Sequence, residues 1–177
     1  MRTAVVVLAG LVACGGPPAA PRATPSAPTP PHLVAIEAAP DLDGVPVGAL
    51  PADQRATLVI VFASWCTHCR DELPVLAVLH EERPDVRMLG LNYRAHEEYD
   101  GRGDAAAVRA LVATDAPWLR VVPADDAVWA SLGRPPKVPT LFVFDRDGAL
   151  VRTFDRRSDA IPTLDELRAT LPPALVR

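Results

Sequence analysis

The chain has 177 residues, with 18 Lys and Arg against 22 Asp and Glu, a formal net charge of -4, and 49% hydrophobic residues. That length and hydrophobic share suffice for one domain with a sizeable core, and they exclude a disordered chain. The mild acidity, with no stretch that concentrates Lys and Arg, argues against a nucleic-acid binder and leaves small molecules or other proteins as the expected partners.

The chain opens on Met1 and Arg2, followed by a small, apolar run over residues 4–13. The run is about half as long as the ~20 residues of a membrane-spanning helix, so it reads as a secretory signal. It ends in Leu11-Val12-Ala13-Cys14, ahead of Gly15 and Gly16. This resembles the lipobox of bacterial lipoproteins, which implies that residues 1–13 are removed and that Cys14 is lipidated. An ordinary signal peptide with a chance cysteine is the alternative. Acyl chains on Cys14 would give stable anchoring, since each buried methylene contributes about 0.8 kcal/mol. After Cys14 the composition shifts to Pro, Ala, Thr and Ser up to residue 31, a stretch that cannot form a core. At ~3.1 Å per residue in extended polyproline geometry, it makes a spacer reaching about 50 Å. The folded domain is expected over residues 32–177.

Residues 58–63 form a continuous apolar run rich in Val and Ile, as in a strand buried on both faces. Beyond Ser64, Trp65 and Cys66, the residues Leu73, Leu76, Ala77 and His80 recur at helical spacing, and Pro74 should cost that helix a hydrogen bond and bend it. Residues 86–93 alternate as a second strand, and the Ala-rich residues 104–114 form a second helix. The strand, helix, strand, helix order is the grammar of a parallel sheet. Residues 140–144 and 150–154 are strand-like and are joined through Asp145-Arg146-Asp147-Gly148, which suits a tight hairpin turn. Thr163 and Glu166 make a capping box for a last helix, which Pro172 and Pro173 end. Trp118 and Trp129 are expected to pack against the sheet. The connection at residues 94–103, with His96, Glu97, Glu98 and Tyr99, could meet a partner but reads first as a solvated loop.

The chain has three cysteines, Cys14 alone near the start and Cys66 and Cys69 two residues apart between strand and helix. A thiol exchanger needs an accessible thiolate and a second thiol near enough to displace the partner. At a helix start, the first sulfur of a Cys-x-x-Cys pair lies beside unpaired N–H groups and the positive end of the dipole, which lowers its pKa below about 8.5. Cys66 is then the nucleophile and Cys69 the resolving thiol. Half a zinc site, a haem attachment and a buried structural pair are the competing readings. A zinc knuckle wants a second ligand pair, whereas His32, His80 and His96 are scattered; haem attachment wants His where Arg70 stands. No metal or cofactor is expected.

Ser64-Trp65-Cys66-Thr67-His68-Cys69-Arg70, with Pro74 five residues on, resembles the active-site helix of thioredoxins, and Val138-Pro139-Thr140 resembles that family's cis-proline loop. The likeness spans roughly residues 40–172. With Glu72, Leu73 and Pro74 it is most similar to the TlpA and ResA branch, anchored thioredoxins that act outside the cytoplasm, often as reductants in cytochrome c maturation. The resemblance implies an α/β thioredoxin fold, with a central mixed sheet flanked by helices on both faces. It also implies catalytic roles for Cys66, Cys69 and Pro139, substrate contacts at Trp65 and Val138, and a location on the periplasmic face of the inner or outer membrane. The expected partners are protein thiols or disulfides and a membrane redox partner that recharges the pair, with the protein a monomer. A proline opening a strand is in any case well placed, because it lacks the donor a ladder position needs.

Two departures stand out. Thioredoxins carry a buried Asp six residues before the first cysteine, where this chain has Ile60. Glu72, three residues after Cys69 and on the same helical face, is the replacement proton acceptor that the branch implies, or else a surface carboxylate. His68 stands where that branch usually has Pro. A partly protonated imidazole there should favour the Cys66 thiolate and make the disulfide more oxidising, as the likeness to DsbA and protein disulfide isomerase also implies. A non-catalytic adaptor or a metal-carrying module on the same fold is the rival function.

Overall fold

A computed structural model of the chain describes residues 31–155 and 162–174. The expected signal peptide, Cys14 and all of the expected spacer before Pro31 lie outside the described residues. Five strands order themselves as β3-β2-β1-β4-β5, namely β1 (Ala56–Val61), β2 (Val86–Tyr93), β3 (Arg120–Ala124), β4 (Thr140–Asp145) and β5 (Leu150–Asp155). β1 pairs parallel with β2 and antiparallel with β4; β2 pairs parallel with β3, and β4 antiparallel with β5. The sheet is therefore mixed, with its most apolar strand in the middle.

All six residues of β1 are buried because helices cover both faces. Leu58 and Ile60 pack with α2 (Thr67–Glu82), α4 (Ala105–Asp115) and α6 (Leu164–Thr170). Val59 and Val61 pack with α1 (Val34–Ala38) and α5 (Asp126–Ser131) on the other side. The strand begins two residues earlier than its apolar run, because Thr57 is satisfied inside by Arg87 Nε at 3.1 Å. Phe62 follows the ladder for one more bond, from its N–H to Leu91 O at 3.0 Å, and the chain then turns toward Cys66.

β2 keeps the expected limits but is buried on both faces rather than alternating. Arg87 lies within it by pairing with Glu37 at 2.9 Å and donating to Gly48 O at 2.8 Å. At Gly90 a Cβ would come within 2.8 Å of Val121 and 2.9 Å of Phe62, so glycine lets these side chains close over the strand. The sequence pattern does not mark β3, since Pro123 interrupts a short segment; β3 is an edge strand, where a missing N–H is tolerated. The hairpin between β4 and β5 turns at Gly148, with φ of 78°. The Thr163–Glu166 capping box is formed at the start of α6. α2 runs unbroken through Pro74.

Candidate active site

The parallel pairing of β1 and β2 brings their C-terminal ends together, and α2 starts there. Cys66 is the N-cap of α2, and its Sγ accepts the Cys69 N–H at 3.2 Å. That bond, with the positive end of a four-turn helix, favours the thiolate form of Cys66. One turn in, Cys69 is packed against Leu73 and the β1 side chains. Cys66 and Cys69 are not joined by a disulfide. Cys66 is 6% exposed and Cys69 1%, so the thiol expected to be accessible is itself largely covered, and Cys69 is sealed more completely. Burial pushes the Cys69 thiol well above its ordinary value; its hydrogen bond to Cys66, the charge of Cys66 and the charge of Glu72 push the same way, against a backbone hydrogen bond at Ala63.

β4 lies on the other side of β1, with Thr140 opposite Val61, so the segment entering β4 arrives beside the turn that carries the cysteines. The Val138–Pro139 bond is cis. Thr140 Oγ1 donates to Lys137 O at 2.9 Å and fixes this corner. Cys66 opens into a groove of about 740 Å³, bordered by Trp65 and Thr67, by Tyr99 and Arg102, and by Lys137 and Val138.

The connection at residues 94–103 is solvated over most of its length, but it is not an irregular loop. It folds into a short helix, α3 (Arg94–Glu97), and a 3-10 turn (Tyr99–Gly101), and it buries Glu97. The Glu97 carboxylate accepts the Ser64 N–H at 2.8 Å, the Asn92 Nδ2 at 2.7 Å and the Ser64 hydroxyl. Three donors make this burial tolerable. Asn92 also donates to Phe62 O at 3.2 Å, and Arg70 Nε and Nη2 both hold Ser64 O at 3.1 Å. Trp65 Nε1 donates to His96 O at 3.1 Å and Glu97 O at 3.0 Å. The residues before Cys66 are thus tied down on every side. A Cβ at Gly103 would collide with Glu97 Oε1 and lie 2.8 Å from Ser64 Oγ, so glycine is required for the loop to close.

By sequence, no protein-family model and no curated protein matches the chain. By structure it is similar to a secreted disulfide oxidoreductase of Mycobacterium tuberculosis homologous to E. coli DsbE, at 22% identity over 75% of this chain and 91% of that one, with a TM-score of 0.59. It is also similar to a thiol:disulfide interchange protein of Chlorobium tepidum, at 18% identity over 83% and 96% with a TM-score of 0.62. A third is the exposed lipoprotein thioredoxin of Streptococcus pneumoniae, at 20% identity over 75% and 94% with a TM-score of 0.60. The chain has a thioredoxin fold.

On this thioredoxin fold, the sequence-marked residues Trp65, Cys66, His68 and Val138 meet at one groove, with Cys69 directly behind. Ile60 is fully buried in the core where thioredoxins place an Asp. Glu72 is fully buried too, so it is no surface carboxylate, and its charge acts on Cys69. His68 is 57% exposed, and its Nδ1 lies 3.7 Å from Asp71 Oδ2. That acid offsets the positive charge which the imidazole was expected to direct at Cys66. Trp129 is buried and stacks on Tyr93 at 4.6 Å, with His96 edge-on at 4.7 Å; burial pushes the His96 imidazole below its ordinary pKa. Trp118 is half-buried against the α2 side of the core and stacks on His80 at 5.3 Å. Glu97, Asn92 and Ser64 are the residues that sequence reasoning misses. Their one signal is Asn92, a polar residue inside an apolar strand that has to find partners.

Proposed function

We propose that the chain is a lipid-anchored thiol-disulfide oxidoreductase acting on protein thiols or disulfides outside the cytoplasm. The observation that carries the reading is the pair of thiols at the start of α2, with Cys69 sealed behind Cys66 and Cys66 opening on the groove beside the cis Val138–Pro139 bond. In the reducing direction, the Cys66 thiolate attacks one sulfur of a substrate disulfide, and the other leaves as a thiolate. Cys69 then attacks Cys66 Sγ in the mixed disulfide. The substrate leaves with both sulfurs reduced, and Cys66 and Cys69 become a disulfide. Oxidation of a substrate dithiol is the same sequence reversed, and a membrane redox partner restores the pair.

The resolving step requires Cys69 to lose its proton, which its burial opposes. Glu72, buried and electrostatically coupled to Cys69, is the assigned acceptor. Trp65 and Val138 are assigned to hold the substrate backbone and side chains at the groove. The anchor rests on Leu11-Val12-Ala13-Cys14 and on the Pro-rich spacer after it, which would let the domain range about 50 Å from the bilayer. The exposed lipoprotein thioredoxin among its structural neighbours is consistent with that placement.

Trapping tests this directly. In cells, Cys69→Ser should accumulate mixed disulfides at Cys66 roughly tenfold over Cys66→Ser, because only the first variant keeps the nucleophile and lacks the release step. Equal trapping by the two variants would overturn the roles. The trapped complex should sediment with membranes and be released by adding Cys14→Ala; membrane sedimentation unchanged by Cys14→Ala would refute the lipid anchor.

A further inference from the structure

We propose that the groove in front of Cys66 selects acidic polypeptide, so that the cysteine it attacks lies in a segment carrying Asp or Glu beside it. This inference rests on the thiol-exchange reading and names its substrate class.

The chain as a whole is acidic, with a net charge of -4. The groove departs from that balance. Among the described residues its lining includes Arg102, Lys137, His68 and His96 and no carboxylate. Two of the neighbouring acids are engaged elsewhere and a third offsets His68, which leaves Arg102 and Lys137 as the cations of the groove. Glu97 is buried beneath Ser64, Glu98 holds Arg94 at 2.8 Å, and Asp71 lies beside His68. Arg102 and Lys137 are both exposed, and neither has an ion-pair partner among the described residues. They come from the two segments that border Cys66, one after α3 and one leading into the cis-proline corner.

Arg102 is also held in place. Its guanidinium carbon lies 5.0 Å from the Trp65 ring centre and 5.7 Å from that of Tyr99. Stacking of this kind restrains a long side chain while leaving its N–H groups free to grip a carboxylate. Trp65 is itself fixed by its bonds to His96 and Glu97, so the guanidinium rests on a rigid platform. Tyr99, 63% exposed, adds apolar surface for an extended chain. Two unpaired cations and no opposing carboxylate make an acidic segment the complementary ligand, and a basic one is repelled. Because the cations are exposed, they should act mainly on the rate of encounter and should be screened by salt.

The experiment uses the full, reduced chain and two short peptides, each closed by one disulfide and identical except for two Glu or two Lys beside the cysteines. Oxidation of the Cys66–Cys69 pair is followed by tryptophan fluorescence, and each rate is divided by that of the same peptide with dithiothreitol to remove intrinsic reactivity. The Glu peptide should react roughly tenfold faster than the Lys peptide at low salt, with the ratio approaching one near ~0.5 M salt. The double variant R102E/K137E should invert the ratio. Equal corrected rates in the wild-type chain, or a preference that persists in R102E/K137E, would overturn the inference while leaving thiol exchange standing. No reaction with either peptide or with neutral bis(2-hydroxyethyl) disulfide would overturn both.

Discussion

The connections that follow β1 and β2 leave neighbouring parallel strands at the same end of the sheet and have opposite characters. The one after β1 runs through Ser64 and Trp65 into Cys66 and carries the sulfur that we propose reacts. The one after β2, residues 94–103, carries no thiol, yet it supplies the carboxylate that holds Ser64, the carbonyls that hold Trp65 and the guanidinium above the Trp65 ring. The first is short because a strand-to-helix turn must place Cys66 at the helix end. The second can be long because its backbone is satisfied by its own helical turns and its one buried charge by three donors. Chemistry and support are thus divided between two adjacent segments.

The largest test of this division is Glu97→Gln. One oxygen that accepts becomes an amide that donates, facing Ser64 or Asn92 donors, and stability should fall by about 2–3 kcal/mol as those buried donors lose their partner. Urea unfolding measures the loss, and slower exchange with a weakened Trp65 emission change should accompany it. Unaltered stability and exchange would show that the second connection is not the support of the first.

A second test concerns Cys69, sealed where the two regions meet the core. Burial raises its thiol pKa in the folded state, so the folded, reduced protein favours the protonated form. The stability this contributes is fully present below the unfolded value of about 8.5 and is lost as pH rises above it, by up to about 1.4 kcal/mol per pH unit. Thermal unfolding of the reduced protein between about pH 7 and pH 10 should therefore fall more steeply than that of Cys69→Ser. Parallel curves would mean that Cys69 is solvated rather than sealed.

The smallest effect is expected at His68, which belongs to the reactive turn but faces solvent and Asp71. His68→Pro should lower the reduction potential in a glutathione titration by less than about 30 mV, the equivalent of about 1.4 kcal/mol for two electrons. An unchanged or raised potential would remove the imidazole from the account of redox poise. A much larger fall would show that the charge reaches Cys66 in spite of Asp71.

What could be read before folding was everything that depends on neighbours in the chain. The apolar run of β1, the cysteines at a strand-to-helix junction, the Asp145–Gly148 turn and the Thr163 capping box are all local, with partners a few residues apart, so spacing alone reveals them. β3 escaped because an edge strand containing Pro123 has no pattern of its own and is defined by the register of β2. Arg87 and Glu37 stand 50 residues apart in the chain and pair only because folding brings β2 and α1 together.

Glu97 is the clearest case. In the sequence it is one of two consecutive acids in a polar stretch, indistinguishable from Glu98 beside it. Folding separates them: Glu98 pairs with exposed Arg94, while Glu97 enters the interior to meet Ser64, which is 33 residues away along the chain. A buried carboxylate is tolerated only where donors converge on it, and the parallel pairing of β1 with β2 produces that convergence. The sequence by itself therefore determined the cysteine pair and the strand and helix that present it, because those depend on local periodicity and caps. Tertiary structure alone decided which acids are buried, which cations line the groove and how the turn before Cys66 is held, because each of these depends on segments far apart in the chain.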